Sequence, residues 1–110
     1  MMLAMTASLC LAQEATVTLT GDIIDNMCAG GKSPEALAAF VPAHTKDCAI
    51  APQCAASGYS IFSDGKLIKL DAGNSAKISE FLQSAESTLH VEIVATQKDG
   101  VLNIISIKNI

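Results

Sequence analysis

The chain contains two Asp-Gly pairs, Asp64-Gly65 and Asp99-Gly100, and each lies between two short apolar runs. An Asp-Gly pair in this setting is typical of a two-residue hairpin turn, because both residues tolerate the positive φ angles that such a turn needs. The pairs therefore predict two antiparallel hairpins. Their strands are expected at residues 57–63, 66–71, 87–96 and 101–110.

A further strand is predicted before the hairpins, in ATVTLTGDIID at residues 15–25. Val17, Leu19 and Ile23 alternate with threonines, and this period of two is typical of a strand with one buried face. Gly21 interrupts the pattern and suggests a bend or bulge, a device that curls a sheet.

Two helices are predicted between the strands. The first, at residues 33–40, has Ser33 as an expected N-cap and Pro34 at the first helical position. The second, at residues 72–86, is expected to be capped by Asn74 or Ser75 and to bury one apolar stripe. That stripe consists of Ile78, Phe81, Leu82 and Ala85, and its expected partners are Val17, Leu19, Val91 and Ile93.

The order of these elements predicts a mainly β fold. Five strands, with a helix between the third and fourth and a Cys-containing helical insertion at about 26–56 between the first and second, favour an OB-like Greek-key barrel. The alternative is an open α+β sheet built from the same elements. Because the chain has 110 residues, we expect one domain, at residues 13–110.

The N-terminal residues predict export. Residues 1–12 carry no charged side chain and are mostly small and apolar, which is typical of a signal peptide with cleavage before Gln13. A lipid-anchored Cys10 and a frayed apolar terminus are the alternatives, and the missing basic segment suggests a start upstream of Met1. The predicted location is periplasmic or secreted, with no transmembrane segment in the mature chain.

The charge balance argues against nucleic acid as a partner. The chain has seven lysines, no arginine and a net charge of -4, whereas phosphate binding depends on clustered basic side chains. Aromatic residues make up only 4% of the chain, so stacking platforms for bases are also scarce.

The remaining chemistry is concentrated in the insertion, which holds Cys28, His44, Cys48 and Cys54. An oxidising compartment favours one disulfide and a spare thiol, with the pairing open. The alternative is a metal site, because Cys3His is a known zinc ligand set and thiolates also bind Cu(I). A helix at 42–51 would place His44 and Cys48 on one face.

Three other titratable side chains are predicted to have no special role. His90 is expected on the exposed face of its strand. Asp22 and Asp25 are expected to be solvated carboxylates near a strand end, with a supporting role beside Cys28 as the alternative.

The chain resembles a group of small, largely uncharacterised secreted bacterial proteins. The resemblance rests on TLTGDIIDNMC, the following H-x3-C-x5-C, the hairpin around SDGK with KLD after it, and the closing IISIKNI. Those proteins have OB-like barrels with a cysteine-containing insertion after the first strand. The resemblance implies this fold and an extracytoplasmic location, and it implies no particular activity.

No catalytic residue is predicted, since the chain lacks G-x-S-x-G, a P-loop and G-x-G-x-x-G. We expect a non-enzymatic binding or structural module with a disulfide-stapled loop, no cofactor, and an envelope protein as a conceivable partner. The alternatives are a zinc- or copper-binding protein and, less favoured, a thiol-based oxidoreductase.

Overall fold

A computed structural model describes residues 15–110, which form a mainly β domain around one five-stranded antiparallel sheet. The strand order is β3-β2-β1-β4-β5. The strands are β1 (Ala15–Asp25), β2 (Tyr59–Ser63), β3 (Lys66–Lys69), β4 (His90–Lys98) and β5 (Val101–Asn109). The signal peptide predicted at 1–12 lies outside the described residues.

Short helices fill the insertion between β1 and β2, and one longer helix follows β3. The helices are α1 (Asn26–Ala29), α2 (Pro34–Phe40), α3 (Lys46–Ala49), α4 (Pro52–Ala56) and α5 (Ala72–Leu82), with a 3-10 turn at Val41–Ala43. Among the helices that the structure describes, none is both long and apolar enough to cross a bilayer.

Helix capping was predicted correctly at one position and wrongly at another. The Ser33 side chain accepts a hydrogen bond from the Ala36 N–H at the start of α2, as predicted. At α5 the cap is Asp71, which accepts from the Asn74 N–H, and not Asn74 or Ser75. The helix also ends at Leu82 instead of 86. The earlier start frees the Asn74 side chain for a contact with β5.

Both predicted hairpins are confirmed. β2 and β3 are joined by Asp64-Gly65, and β4 and β5 by Asp99-Gly100. All four residues have φ between 53° and 79°, the left-handed region that these turns require.

Gly21 marks a place where two backbones approach closely. β1 pairs with β4 through residues 15–22 and with β2 only from Asp22 onwards. A Cβ on Gly21 would lie 2.5 Å from the Phe62 carbonyl oxygen, a distance that no side chain tolerates. The glycine therefore allows β2 to join β1 at this point.

The predicted closed barrel is wrong. Within residues 15–110, β3 pairs only with β2 and β5 only with β4, so the sheet is open between them. The Asn74 amide of α5 occupies the outer edge of β5: its Nδ2 donates to the Leu102 carbonyl at 2.8 Å, and its Oδ1 accepts from the Ile104 N–H at 2.9 Å. Lys77 Nζ donates to the Ile104 carbonyl at 2.8 Å. Side chains of a helix thus satisfy backbone groups of β5 that a fifth strand pairing, the one that closes the barrel, would have satisfied.

The main core lies between α5 and one face of the sheet. Ile78 and Leu82 are buried against the inward residues of the strands, as predicted. Phe81 is only half-buried at the margin of this core, so its expected complete burial is wrong. The inward strand residues in this core include Ile23, Ile61, Val91, Ile93 and Ile104.

A second, smaller core lies beneath the insertion. Ile24, Ala29 and Leu37 are buried there, with Phe40 and Phe62 packed against them. Because Ile24 and Ile23 point to opposite faces of β1, the end of this strand is buried on both sides. The insertion is consequently fixed to the sheet where β1 ends.

Candidate metal centre

The three cysteines of the described region converge in the insertion. The sulfur atoms of Cys28, Cys48 and Cys54 all lie within 4.8 Å of one another, although they come from three different helices. Cys28 and Cys48 are partly exposed, and Cys54 is 9% exposed. The cluster is therefore close enough to the surface for an ion to enter.

Each cysteine occupies the third position of a short helix. The Asp25 side chain accepts from the Cys28 N–H at 3.0 Å, and Thr45 Oγ1 accepts from the Cys48 N–H at 3.2 Å. Cys54 follows Pro52, which begins α4. Capping side chains and a proline fix where each helix begins, and so they fix the direction in which each thiol leaves the backbone.

Hydrogen bonds hold these helices to one another and to β2. The Asn26 N–H donates to the Gly58 carbonyl at 2.9 Å, and Asn26 Nδ2 donates to the Ser57 carbonyl at 2.9 Å. These bonds bring the end of the insertion back to its beginning. The buried Tyr59 hydroxyl donates to the Ala49 carbonyl at 2.8 Å and so anchors α3, the helix that carries Cys48.

His44 lies beside this cluster, close to Cys28 but not within 4.8 Å of all three sulfurs, and it gets there by a different route from the one predicted. No helix spans 42–51: the 3-10 turn ends at Ala43, and His44 has an extended ψ of 129° before α3 begins. His44 and Cys48 therefore do not share a helix face. Instead the buried His44 ring packs 5.3 Å from the Phe40 ring, and it belongs with Asp25 and Cys28 to a second group of ligand atoms within 4.8 Å.

Asp25 is the residue that the sequence analysis misjudged. Its side chain is fully buried, not solvated, and its Oδ1 lies 2.9 Å from His44 Nε2. The alternation along β1 could have indicated this burial, because Asp25 lies two residues after Ile23 and is therefore on the same inward face. The nearby Asp22 instead pairs with His90 at 3.0 Å, and the His90 side chain is 53% exposed, as predicted for it.

The buried carboxylate and the thiols shift one another's ionisation. Burial opposes ionisation of Asp25, but hydrogen bonds from Cys28, His44 and Cys54 outweigh it and lower the Asp25 pKa. Burial raises the pKa of the Cys28 thiol to about 12, with further contributions from Asp25 and Cys48. Burial and Asp25 also raise the pKa of Cys54. Without a cation, Cys28 and Cys54 are neutral thiols at pH 7, which does not suit a nucleophilic or redox-active cysteine.

The sulfur separations distinguish a disulfide from a ligand set. Cys28 and Cys48 are free, with their sulfurs 3.8 Å apart, whereas a disulfide bond is about 2.05 Å long. Two thiolates on a tetrahedral zinc at about 2.3 Å would be separated by about 3.8 Å. The predicted disulfide is not formed in this structure.

The chain was compared with protein-family models, with curated protein sequences and with solved structures, and none of them matches it.

Proposed function

We propose that this protein is a small metal-binding domain that holds one thiophilic ion with Cys28, Cys48 and Cys54 and takes His44 as a fourth ligand. The observation that carries the proposal is the convergence of three sulfurs, from three separate helices, within 4.8 Å. Three thiolates and an imidazole are a known tetrahedral ligand set for zinc. A fully occupied set leaves no open position, so the ion would have a structural role.

The shape of the insertion supports this role. Three of its four helices are only four or five residues long, and isolated helices of that length are not stable in water. The small core beneath it contains three buried side chains, and one of them, Ile24, comes from β1. An ion bound by three of these helices would stabilise the insertion, because metal binding to a site absent from the unfolded chain adds to folding stability.

A second candidate function is the module with a disulfide-stapled loop. It would require the Cys28 and Cys48 sulfurs, which are 3.8 Å apart, to move to the bonding distance of about 2.05 Å. It fits the proposed periplasmic or secreted location, where thiols oxidise. We also propose an OB-like relationship, which the five antiparallel strands and the helix between β3 and β4 support. An envelope protein as partner is a further proposal, and it rests only on the proposed location.

Native mass spectrometry combined with thiol titration tests the two candidates. The reduced protein, expressed from residue 13, should bind one zinc per chain, and its three thiols should react only after a chelator is added. Replacing any one cysteine by serine should abolish stoichiometric binding. His44→Gln should weaken binding, and His90→Gln serves as the matched control on the exposed sheet face.

The alternative results are equally clear. In protein purified without a reductant, one reactive thiol, a mass two hydrogens lower and no bound metal would support the disulfide-stapled module. Three thiols that react at the same rate with and without zinc would contradict the metal site.

A further inference from the structure

Asp25 is a buried charge that the proposed ligand set does not use. Its side chain is fully buried at the end of β1, and it accepts hydrogen bonds from the Cys28 N–H at 3.0 Å and from the His44 ring at 2.9 Å. A buried carboxylate is costly unless a partner compensates it. The hydrogen bonds to Asp25 already stabilise its charge, and a cation beside it would stabilise that charge further.

No lysine of the described chain compensates Asp25. Lys32 Nζ donates to the Cys28 carbonyl and lies 4.5 Å from the centre of the Phe40 ring. Lys46 Nζ donates to the carbonyls of Ser84 and Ser87, which follow the C-terminal end of α5. Between residues 15 and 110, His44 is the only basic side chain within 4.0 Å of the Asp25 carboxylate.

The formal charges favour an ion of higher charge. Three thiolates and one carboxylate carry four negative charges, and a neutral imidazole adds none. A divalent ion leaves two of these charges uncompensated, whereas Cu(I) leaves three. Because uncompensated charge is expensive in a buried site, the carboxylate penalises the monovalent ion more.

We infer that Asp25 is a positioning residue that orients His44 and Cys28 and makes this site discriminate in favour of a divalent, zinc-like ion over Cu(I). This inference rests on the proposed metal-binding function. The carboxylate-to-imidazole hydrogen bond is the arrangement that commonly orients a histidine ligand. The bond to the Cys28 N–H fixes the helix that presents the first sulfur.

The test compares Asp25→Asn with the wild type and with Asp22→Asn. Both variants remove one negative charge from β1, but Asp22 is partly exposed and pairs with His90. Zinc and Cu(I) affinities are measured separately under anaerobic, reducing conditions by competition with chromophoric chelators. Zinc affinity should fall about 10–100-fold in Asp25→Asn, the usual effect of losing a residue that supports a ligand, and Cu(I) affinity should fall less, so that the ratio of zinc to Cu(I) affinity falls. Asp22→Asn should leave the ratio unchanged.

Two results would overturn the inference: an unchanged ratio in Asp25→Asn, or an equal fall in Asp22→Asn. A wild-type protein that binds neither ion would instead refute the proposed function itself. A second measurement does not depend on the variant's folding. In wild-type protein labelled with ¹³C-aspartate, zinc should shift the Asp25 carboxyl signal and leave the Asp22 signal in place, and an unmoved Asp25 signal also refutes the inference.

Discussion

The open edge of the sheet makes a quantitative prediction about Asn74. Its amide is the partner of two backbone groups on β5, the Leu102 carbonyl and the Ile104 N–H, at 2.8 and 2.9 Å. Asn74 is 4% exposed and Ile104 is 3% exposed, so water does not readily replace the amide. Asn74→Ala therefore leaves a buried donor and a partly buried acceptor without partners.

The magnitude follows from these two lost bonds. An unsatisfied buried polar group costs about 1–3 kcal/mol. Two such groups, with partial relaxation of the edge strand, should lower the free energy of unfolding by about 2–4 kcal/mol. For a domain of this size, about 1 kcal/mol corresponds to a fall in melting temperature of roughly 4–8 °C.

The assay is urea unfolding of reduced, metal-free protein, followed by circular dichroism. Asn103→Ala is the matched control: Asn103 is exposed on the same strand and accepts only from Lys77, so the change should stay within about 0.5 kcal/mol. If Asn74→Ala lowers the free energy of unfolding no more than Asn103→Ala does, the helix does not replace a strand pairing, and our explanation of the open sheet is wrong.

Three further predictions concern the core and the thiols. Phe81→Ala should lower the free energy of unfolding by clearly less than the roughly 3–5 kcal/mol lost when a fully buried phenylalanine is removed, because Phe81 is half-buried. A loss of that full size in denaturant unfolding would contradict this prediction. Tyr59→Phe should cost about 1–2 kcal/mol and weaken zinc binding, because the Ala49 carbonyl loses its 2.8 Å partner; calorimetry that finds unchanged stability would argue against this anchor. In the metal-free protein, the alkylation rate of Cys28 should still rise with pH above about pH 10, where an ordinary thiol has reached its plateau, since the pKa of Cys28 is raised to about 12. Peptide mapping that shows a half-maximal rate near about pH 8.5 would contradict that shift.

The sequence by itself determined the elements whose signals are local. The Asp-Gly pairs predict both hairpins because the turn's φ angles are a property of two adjacent residues. Ser33 and Pro34 predict the start of α2 for the same reason. The presence of three cysteines and a histidine in one insertion likewise indicates where the candidate site lies.

The tertiary structure decided whatever depends on distant partners. Whether the sheet closes depends on the Asn74 amide meeting β5, a contact between residues 28 positions apart along the chain. The half-burial of Phe81 depends on how α5 lies on that open sheet. Neither can be read from a local pattern, because helical periodicity indicates which face is apolar and not what covers it.

The candidate site shows the same division. Spacing alone suggested that His44 and Cys48 share a helix, but the chain is extended at His44, and the ring turns instead towards Asp25. The alternation along β1 places Asp25 on the same face as Ile23, which is buried. The burial of Asp25 itself depends on the insertion, which folds back over the end of the strand. The sequence determined which ligands are available. Their distances and the buried charge beside them were decided by packing, since these depend on contacts between segments about 20 residues apart.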